Sequence, residues 1–467
     1  MIRKHLSGWK ADLGRMRTKG SFARNAAYAF SGTALITGSQ LILPPFLARI
    51  YGPEVYGAYG IFSSLCMSLA VVADLGYTQA YLLTPREDRF LDLFRGHLLI
   101  LAALFVLLLP VVALHERIYA WMPGWSGMGA WLWLLPLGMV VQFLPSMCTQ
   151  WLVRMKAFGR SASIGGGTNL VLRLFNLGYG WLSQGAAHGL ILGETLVRGA
   201  GIGVYWVALR PFSPGRVLRD WDLSRIRDAW KEFRNCPRYV FPERWVALLG
   251  LQLPIYLLSS DPVVVGQFSM ASGLLLLPLR LFGFSLGVVF NQKAAETFHR
   301  DPADLARITR HFFYRLLATG VLPFAAITVL GDIVFQVVLG GEWRMAGVFA
   351  AWLGAFFFFR HLSEPIINLF NVHRRERQML QFQAVLLGAR AVVVSWAAFF
   401  HGSVLNAVLA YAVVSALGYV WLTGHLLRLA GVRAVKPLVH AVLVMGASVA
   451  LLCLLRSTFA GTWFPMP

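Results

Sequence analysis

The chain has 467 residues, of which 57% are hydrophobic and only 13% charged, with a formal net charge of +21 and a mean hydropathy of +0.61. Soluble domains carry about 25% charged residues, so most of this surface is built to face lipid rather than water. The positive charge falls in short Lys/Arg clusters between long apolar runs, the pattern of topology signals facing an anionic leaflet; this argues against nucleic acid as a partner.

The first 24 residues form a basic leader with seven Lys and Arg residues. Its apolar positions Ile2, Leu6, Trp9, Leu13 and Met16 recur at helical spacing. The leader therefore reads either as a helix on the membrane surface or as a basic tail. No cleavable signal peptide is expected, because the first apolar run begins only after Arg24 and is long enough to span.

Crossing a ~30 Å hydrocarbon core takes about 20 apolar residues in a helix. Thirteen segments meet that requirement: 25–48, 55–83, 95–114, 130–152, 162–183, 188–209, 238–259, 262–289, 311–331, 345–370, 380–400, 404–427 and 437–455. With the N-terminus in the cytoplasm, the loops assigned to the cytoplasm carry 31 Lys and Arg residues, and the opposite set only Arg49, Arg117, Arg344 and Arg456. One missed span would invert every later loop, so this asymmetry supports the count. No loop on the outer side is long enough for a separate domain. The last span is the weakest, since Arg456 and a short Pro-rich tail follow it closely.

The longest polar segment, 210–238, repeats Leu218, Trp221, Ile226, Trp230 and Phe233 at helical spacing among Arg, Asp and Lys. It reads as an amphipathic helix on the inner leaflet joining two halves of six spans. The halves show a faint repeat. Leu43-Pro44, Pro53, Gly57 and Tyr59 in the first half match Leu253-Pro254, Pro262, Gly266 and Phe268 in the second, offset by 210 and then 209 residues. Six intervening spans would make such repeats parallel, related by a pseudo-two-fold axis along the membrane normal. The expected fold is an all-α polytopic membrane protein of two six-helix bundles with an additional C-terminal helix. Its expected segments are a leader (1–24), an N-terminal bundle (25–209), a linker (210–237), a C-terminal bundle (238–427) and a tail (428–467).

Few motifs carry chemistry. Gly-Lys never occurs as a dipeptide, so a Walker A loop is absent. The four cysteines lie far apart and suggest neither a metal site nor a redox pair. Gly283-Phe-Ser285-Leu-Gly287 matches a nucleophile elbow in letters, but it lies in an apolar span and reads as helix packing. His361 and Glu364 have a ligand-like spacing without further ligands, so a local polar contact is the better reading. No catalytic residue, cofactor or metal is expected.

The informative residues are charges inside spans: Asp74, Arg173, Glu194, Arg198, Arg280, Arg360, Glu364 and Arg390. Each costs about 2.5–3.5 kcal/mol at a helix centre on insertion scales, so each should face protein or water. Glu194 with Arg198, and Arg360 with Glu364, are i,i+4 pairs that can neutralise each other. Arg173 and Arg390 have no close partner in sequence. Five Arg against three acids make a cationic interior. Arg suits phosphate, because its planar fork stays charged and bonds in pairs.

Four stretches carry a resemblance: 43–83 (LPPFLARIYGPEVYGAYGIFSSLCMSLAVVADLGYTQAYLL), 150–158 (QWLVRMKAF), 236–296 (beginning CPRYVFPERW) and 339–347 (LGGEWRMAG). In their order and spacing the chain resembles the Wzx-type flippases of lipid-linked oligosaccharides. These are in the polysaccharide-transporter branch of the multidrug/oligosaccharidyl-lipid/polysaccharide (MOP) superfamily. The chain departs from their usual twelve spans by its C-terminal segment. The resemblance implies transport of an undecaprenyl-diphosphate-linked sugar repeat from the cytoplasmic to the periplasmic leaflet of a bacterial inner membrane, for O-antigen, capsule or exopolysaccharide assembly. It also implies alternating access around a cavity, beside a glycan polymerase and a chain-length regulator. Arg173, Arg280 and Arg390, then Arg198 and Arg360, are the expected headgroup contacts. Asp74, Glu194 and Glu364 are the expected ion-coupling groups. The rival readings are a peptidoglycan-precursor flippase, a cation-coupled drug antiporter of the same fold, and an integral-membrane polymerase.

Overall fold

A computed structural model describes residues 38–39, 41–186, 188–401 and 404–460. The basic leader and most of the expected first span lie outside the described residues. Ten described helices are long and apolar enough to cross a membrane. The chain is a multi-pass α-helical membrane protein, and among the described residues there is no strand.

In chain order the helices that matter here are α1 (Pro44–Ile50), α2 (Pro53–Asp74), α3 (Glu87–Ala113), α4 (Leu135–Arg154) and α5 (Phe158–Leu182). They continue with α6 (His188–Phe212), α7 (Leu223–Glu232), α8 (Phe241–Leu257) and α9 (Pro262–Pro278). The remainder are α10 (Ser285–Arg300), α11 (Pro302–Leu339), α12 (Arg344–Ser363), α13 (Glu376–His401), α14 (Val404–Leu429) and α15 (Val435–Ala460). Two expected spans, 162–183 and 238–259, are helical as α5 and α8 but are not among the ten. Helix α5 is diluted by Gly165, Gly166, Gly167, Asn169, Arg173 and Asn176, and α8 is only 17 residues long. The C-terminal span, the weakest by sequence, is a 26-residue apolar helix, α15.

The chain divides into two compact units. The first holds residues 65–115 and 130–241, the second 44–64, 116–129 and everything from Pro242 onward. Helix α2 begins in the second unit and ends in the first.

The first unit packs α3, α4 and α6 around interlocking rings. The Trp151 indole meets Phe90 and Phe94 edge-on at centroid distances of 5.1 and 5.2 Å. Arg154 at the end of α4 ties down the loop after α2, donating to the carbonyls of Tyr81 (2.6 Å) and Thr84. Arg95 on α3 does the same for the linker. It pairs with Asp92 (2.7 Å) and donates to the carbonyls of Arg216, Val217 and Arg219. These bonds satisfy carbonyls that the irregular segment 210–222 leaves open. The linker's helix is shorter than its periodicity suggests. Asp220 takes a left-handed backbone (φ 53°), so α7 starts at Leu223 and leaves Leu218 and Trp221 exposed. Asp222 caps α7, accepting from the backbone N–H groups of Ser224 and Arg225 (2.8 and 3.3 Å). The Ser224 hydroxyl and these N–H groups hold its carboxyl below the usual range.

In the second unit, α11 and α12 form a long hairpin with close backbones. A Cβ on Gly347 would stand 2.3 Å from the Gly331 carbonyl, and one on Gly331 would stand 2.6 Å from that of Gly347. The turn between the helices is clamped from two sides. Gln267 of α9 donates to the Glu342 carbonyl (2.6 Å) and accepts from the Ala346 N–H (2.7 Å), while the Trp343 indole donates to the Ala48 carbonyl of α1 (2.9 Å). Helix α15 lies along α11, where Arg456 forms a two-pronged pair with Asp332 at 2.9 and 3.1 Å.

The repeat residues of the sequence meet within this unit. A Cβ on Gly57 would fall 1.8 Å from the carbonyl oxygen of Pro262, and one on Gly266 would fall 1.8 Å from that of Pro53. Each repeat's proline thus faces the other repeat's glycine, a reciprocal contact of the kind a local two-fold produces. Gly57→Ala should lower stability by about 1–3 kcal/mol, since backbone must move to admit the methyl group. Gly273→Ala, where nothing lies within 4 Å, should be neutral or stabilising. Thermal unfolding of the purified protein in detergent checks this. Equal melting temperatures for the two variants would contradict the close approach.

Candidate functional site

The eight expected intramembrane charges divide evenly. Asp74, Arg173, Glu194 and Arg198 belong to the first unit, and Arg280, Arg360, Glu364 and Arg390 to the second. Three of the second set come together where the C-terminal end of α12 meets the middle of α13 and α14. Arg360 is buried and donates from Nε to Glu364 Oε1 at 2.8 Å, so the predicted i,i+4 pair forms. Pro365 follows at once and breaks the α-helical ladder, leaving a tighter turn at Glu364–Ile366. Tyr419 of α14 lies within electrostatic reach of Arg360, Glu364 and Arg390 together.

Arg390 is 1% exposed and has no carboxylate partner among the described residues. Its guanidinium sits over the rings of Tyr411 and Phe356, 5.0 and 5.3 Å from their centroids. Nε donates to the Ser415 hydroxyl at 2.9 Å, and Nη2 has no hydrogen-bond partner. The Tyr411 hydroxyl donates to the Gly250 carbonyl at 3.1 Å. Gly250 also lies beside the guanidinium: a Cβ there would stand 2.9 Å from Arg390 Nη1. Aromatic faces attract a desolvated guanidinium by about 2 kcal/mol, which offsets part of its burial. The result is a held cation with one free donor. Arg280 lies apart from this cluster in sequence, half-buried in a π-helical turn at Leu279–Phe284.

In the first unit, Glu194 is 2% exposed and accepts from Gln142 Nε2 at 2.7 Å, with Arg198 Nε at 2.6 Å. Glu194 and its neighbours form a single π-helical turn, Gly193–Val197, a widening of the kind that often marks functional positions. Asp74 stands elsewhere, at the end of α2, in a network that sequence reasoning did not find. The His97 ring is fully buried; its Nδ1 is 2.5 Å from the Tyr81 hydroxyl and its Nε2 is 3.0 Å from the Asp74 carbonyl. These partners assign the Nε2–H tautomer, with the tyrosine donating to Nδ1. Asp74 Oδ1 accepts from the Thr78 N–H at 3.0 Å. Arg173 is half-buried on α5, and nothing among the described residues pairs with it.

The ligand-like spacing of His361 and Glu364 resolves into ordinary contacts. His361 Nε2 is 3.2 Å from the Leu316 carbonyl, and Glu364 is committed to Arg360. Gly283 and Gly287 pack against Pro365, so their motif is a helix contact. Among the described residues no group of three His, Cys, Asp or Glu could hold a metal ion.

No family model and no curated protein matches the chain. Solved structures do match. The lipid II flippase MurJ in an inward closed conformation aligns with a TM-score of 0.68 at 14% identity, over 93% of this chain and 92% of that one. A multidrug resistance MATE family transporter of the MOP superfamily, in an inward-facing conformation, aligns at 0.58 and 14%, over 86% and 98%. A mutant form of the MATE transporter VcmN of Vibrio cholerae aligns at 0.52 and 12%, over 87% and 97%. The chain has the fold of the MOP-superfamily transporters. These neighbours are a flippase and transporters.

The Arg360–Glu364 pair makes a direct stability prediction. Glu364→Leu leaves Arg360 buried with no counter-charge and should lower stability by about 3 kcal/mol. Arg360→Met with Glu364→Leu should recover most of that loss, as read by thermal unfolding. A double variant as unstable as the single one would show that the pair is not the cause.

Proposed function

We propose that this chain is a flippase for a polyprenyl-diphosphate-linked oligosaccharide repeat unit, which it carries from the cytoplasmic to the periplasmic leaflet. The observation that carries the reading is Arg390: a buried guanidinium that, among the described residues, has no carboxylate partner and is held by aromatic faces and one hydroxyl. Evolution has little reason to bury such a charge for stability alone, since an apolar side chain would pack there at lower cost. A diphosphate would supply the missing counter-charge through two short, charge-assisted bonds. An antiporter for cationic drugs would need the opposite sign in its interior. The glycan follows the diphosphate through the cationic interior, while the polyprenyl chain stays in lipid.

Arg173, Arg280 and Arg390, then Arg198 and Arg360, are the headgroup contacts of this reading. Asp74, Glu194 and Glu364 are the carboxylates available for ion coupling. The proposed setting is a bacterial inner membrane with a cytoplasmic N-terminus, beside a glycan polymerase and a chain-length regulator. A second reading is a flippase of lipid-linked peptidoglycan precursors. The alignment with a lipid II flippase supports it.

Arg390→Met separates charge from packing. It should keep the melting temperature within a few degrees of wild type yet reduce transport of a diphosphate-linked glycan in proteoliposomes at least tenfold. Arg390→Lys, which keeps the charge but not the fork, should fall between. Full transport by the Met variant would overturn the assignment.

A further inference from the structure

The first unit carries a second feature, on the far side of Trp230 from the His97–Asp74 network. A groove of about 460 Å³ opens between α3 and α7. Its apolar wall includes Leu99 and Ile100 of α3, and Leu223, Ile226 and Trp230 of α7. Its rim is basic: Arg227 and Lys231 lie one turn apart on α7, and Arg234 lies just past its end. Arg227 and Arg234 make no side-chain ion pair or hydrogen bond among the described residues. Lys231 has only the exposed Asp228 at 3.9 Å, and the nearby Glu232 stands 4.0 Å from Arg89.

We propose that this groove is a binding site for one acidic glycerophospholipid of the leaflet on which α7 lies. The phosphate would lie among Arg227, Lys231 and Arg234, with an acyl chain along Leu99 and Ile100. Two observations select a lipid over a water-soluble anion. Part of the apolar wall belongs to a membrane-spanning helix, so it continues into the hydrocarbon, where a soluble ligand could not cover it. Leu99 and Leu223 are also exposed, 39% and 69%, directly beside the cations. An apolar surface bordered by the cations Arg227, Lys231 and Arg234 is complementary to a lipid at its headgroup and glycerol level.

The groove floor is built for close packing. A Cβ on Gly96 would overlap the Trp230 indole nitrogen at 2.0 Å, so α7 can seat only on a glycine. The Trp230 ring lies tilted by 39° against that of Tyr77 with centroids 4.0 Å apart, and the Trp230 carbonyl accepts from the Tyr77 hydroxyl at 3.1 Å. A lipid at the rim would therefore hold α7 onto the segment that follows Asp74. The site does not depend on which substrate the protein moves.

The test uses the full-length protein in nanodiscs of phosphatidylcholine with phosphatidylglycerol, released and weighed by native mass spectrometry. Wild type should retain one phosphatidylglycerol more than Arg227→Gln/Arg234→Gln, with retention at least fivefold lower in the double variant. Arg219→Gln, an exposed linker cation outside the groove, should match wild type. Arg227→Lys/Arg234→Lys should restore binding, which separates charge from any misfolding of the Gln variant. Equal retention by wild type and the Gln double variant would overturn the proposal. So would equal retention of phosphatidylcholine, or displacement of the phospholipid by a polyprenyl diphosphate at this groove.

Discussion

Inside a bilayer a polar group has no water to fall back on, so each must find its partner within the protein. This constraint explains why the charges of the spans sit where they do. Arg360 and Arg198 meet acids one helical turn away on their own helices. Arg456 reaches Asp332 across 124 residues and fixes α15 against α11. Arg95 and Arg154 spend their donors on carbonyls that irregular segments expose. Among the described residues, Arg390 alone of the deeply buried arginines is held by rings and a hydroxyl without an acid, and this exception carries the functional reading.

The same constraint acts on the backbone. Lipid offers little hydrophobic drive for one helix to join another, so close contact depends on small residues and dispersion. The Gly331–Gly347 and Gly57–Pro262 contacts are this principle applied where helices must pass almost backbone to backbone. The second contact is reciprocated by Gly266 and Pro53, so one pair of short motifs, used twice, sets both halves of the crossing.

Much of the fold could be read from the sequence, because a span is a one-dimensional property: its length and apolarity do not depend on distant residues. The paired prolines and glycines were visible as a repeat for the same reason, and their contact is what gives that repeat structural meaning. The Glu194–Arg198 and Arg360–Glu364 pairs were legible because helix geometry fixes an i,i+4 neighbour. What was hidden is long-range. No local pattern tells that Tyr411 and Phe356 seat Arg390, that His97 bridges Tyr81 and Asp74, or that Asp332 awaits Arg456. The linker helix was read five residues too long at its start. Its periodic Leu218 and Trp221 gave no hint that Asp220 would adopt a left-handed backbone.

The account rests on movement of a diphosphate-linked glycan between leaflets. The most direct measurement is the leaflet distribution of lipid-linked repeat units in cells lacking this protein, scored together with surface glycan. The account predicts repeat units held on the cytoplasmic leaflet and no surface polymer, both reversed by wild-type protein. Normal arrival of the repeat units on the periplasmic leaflet would contradict it.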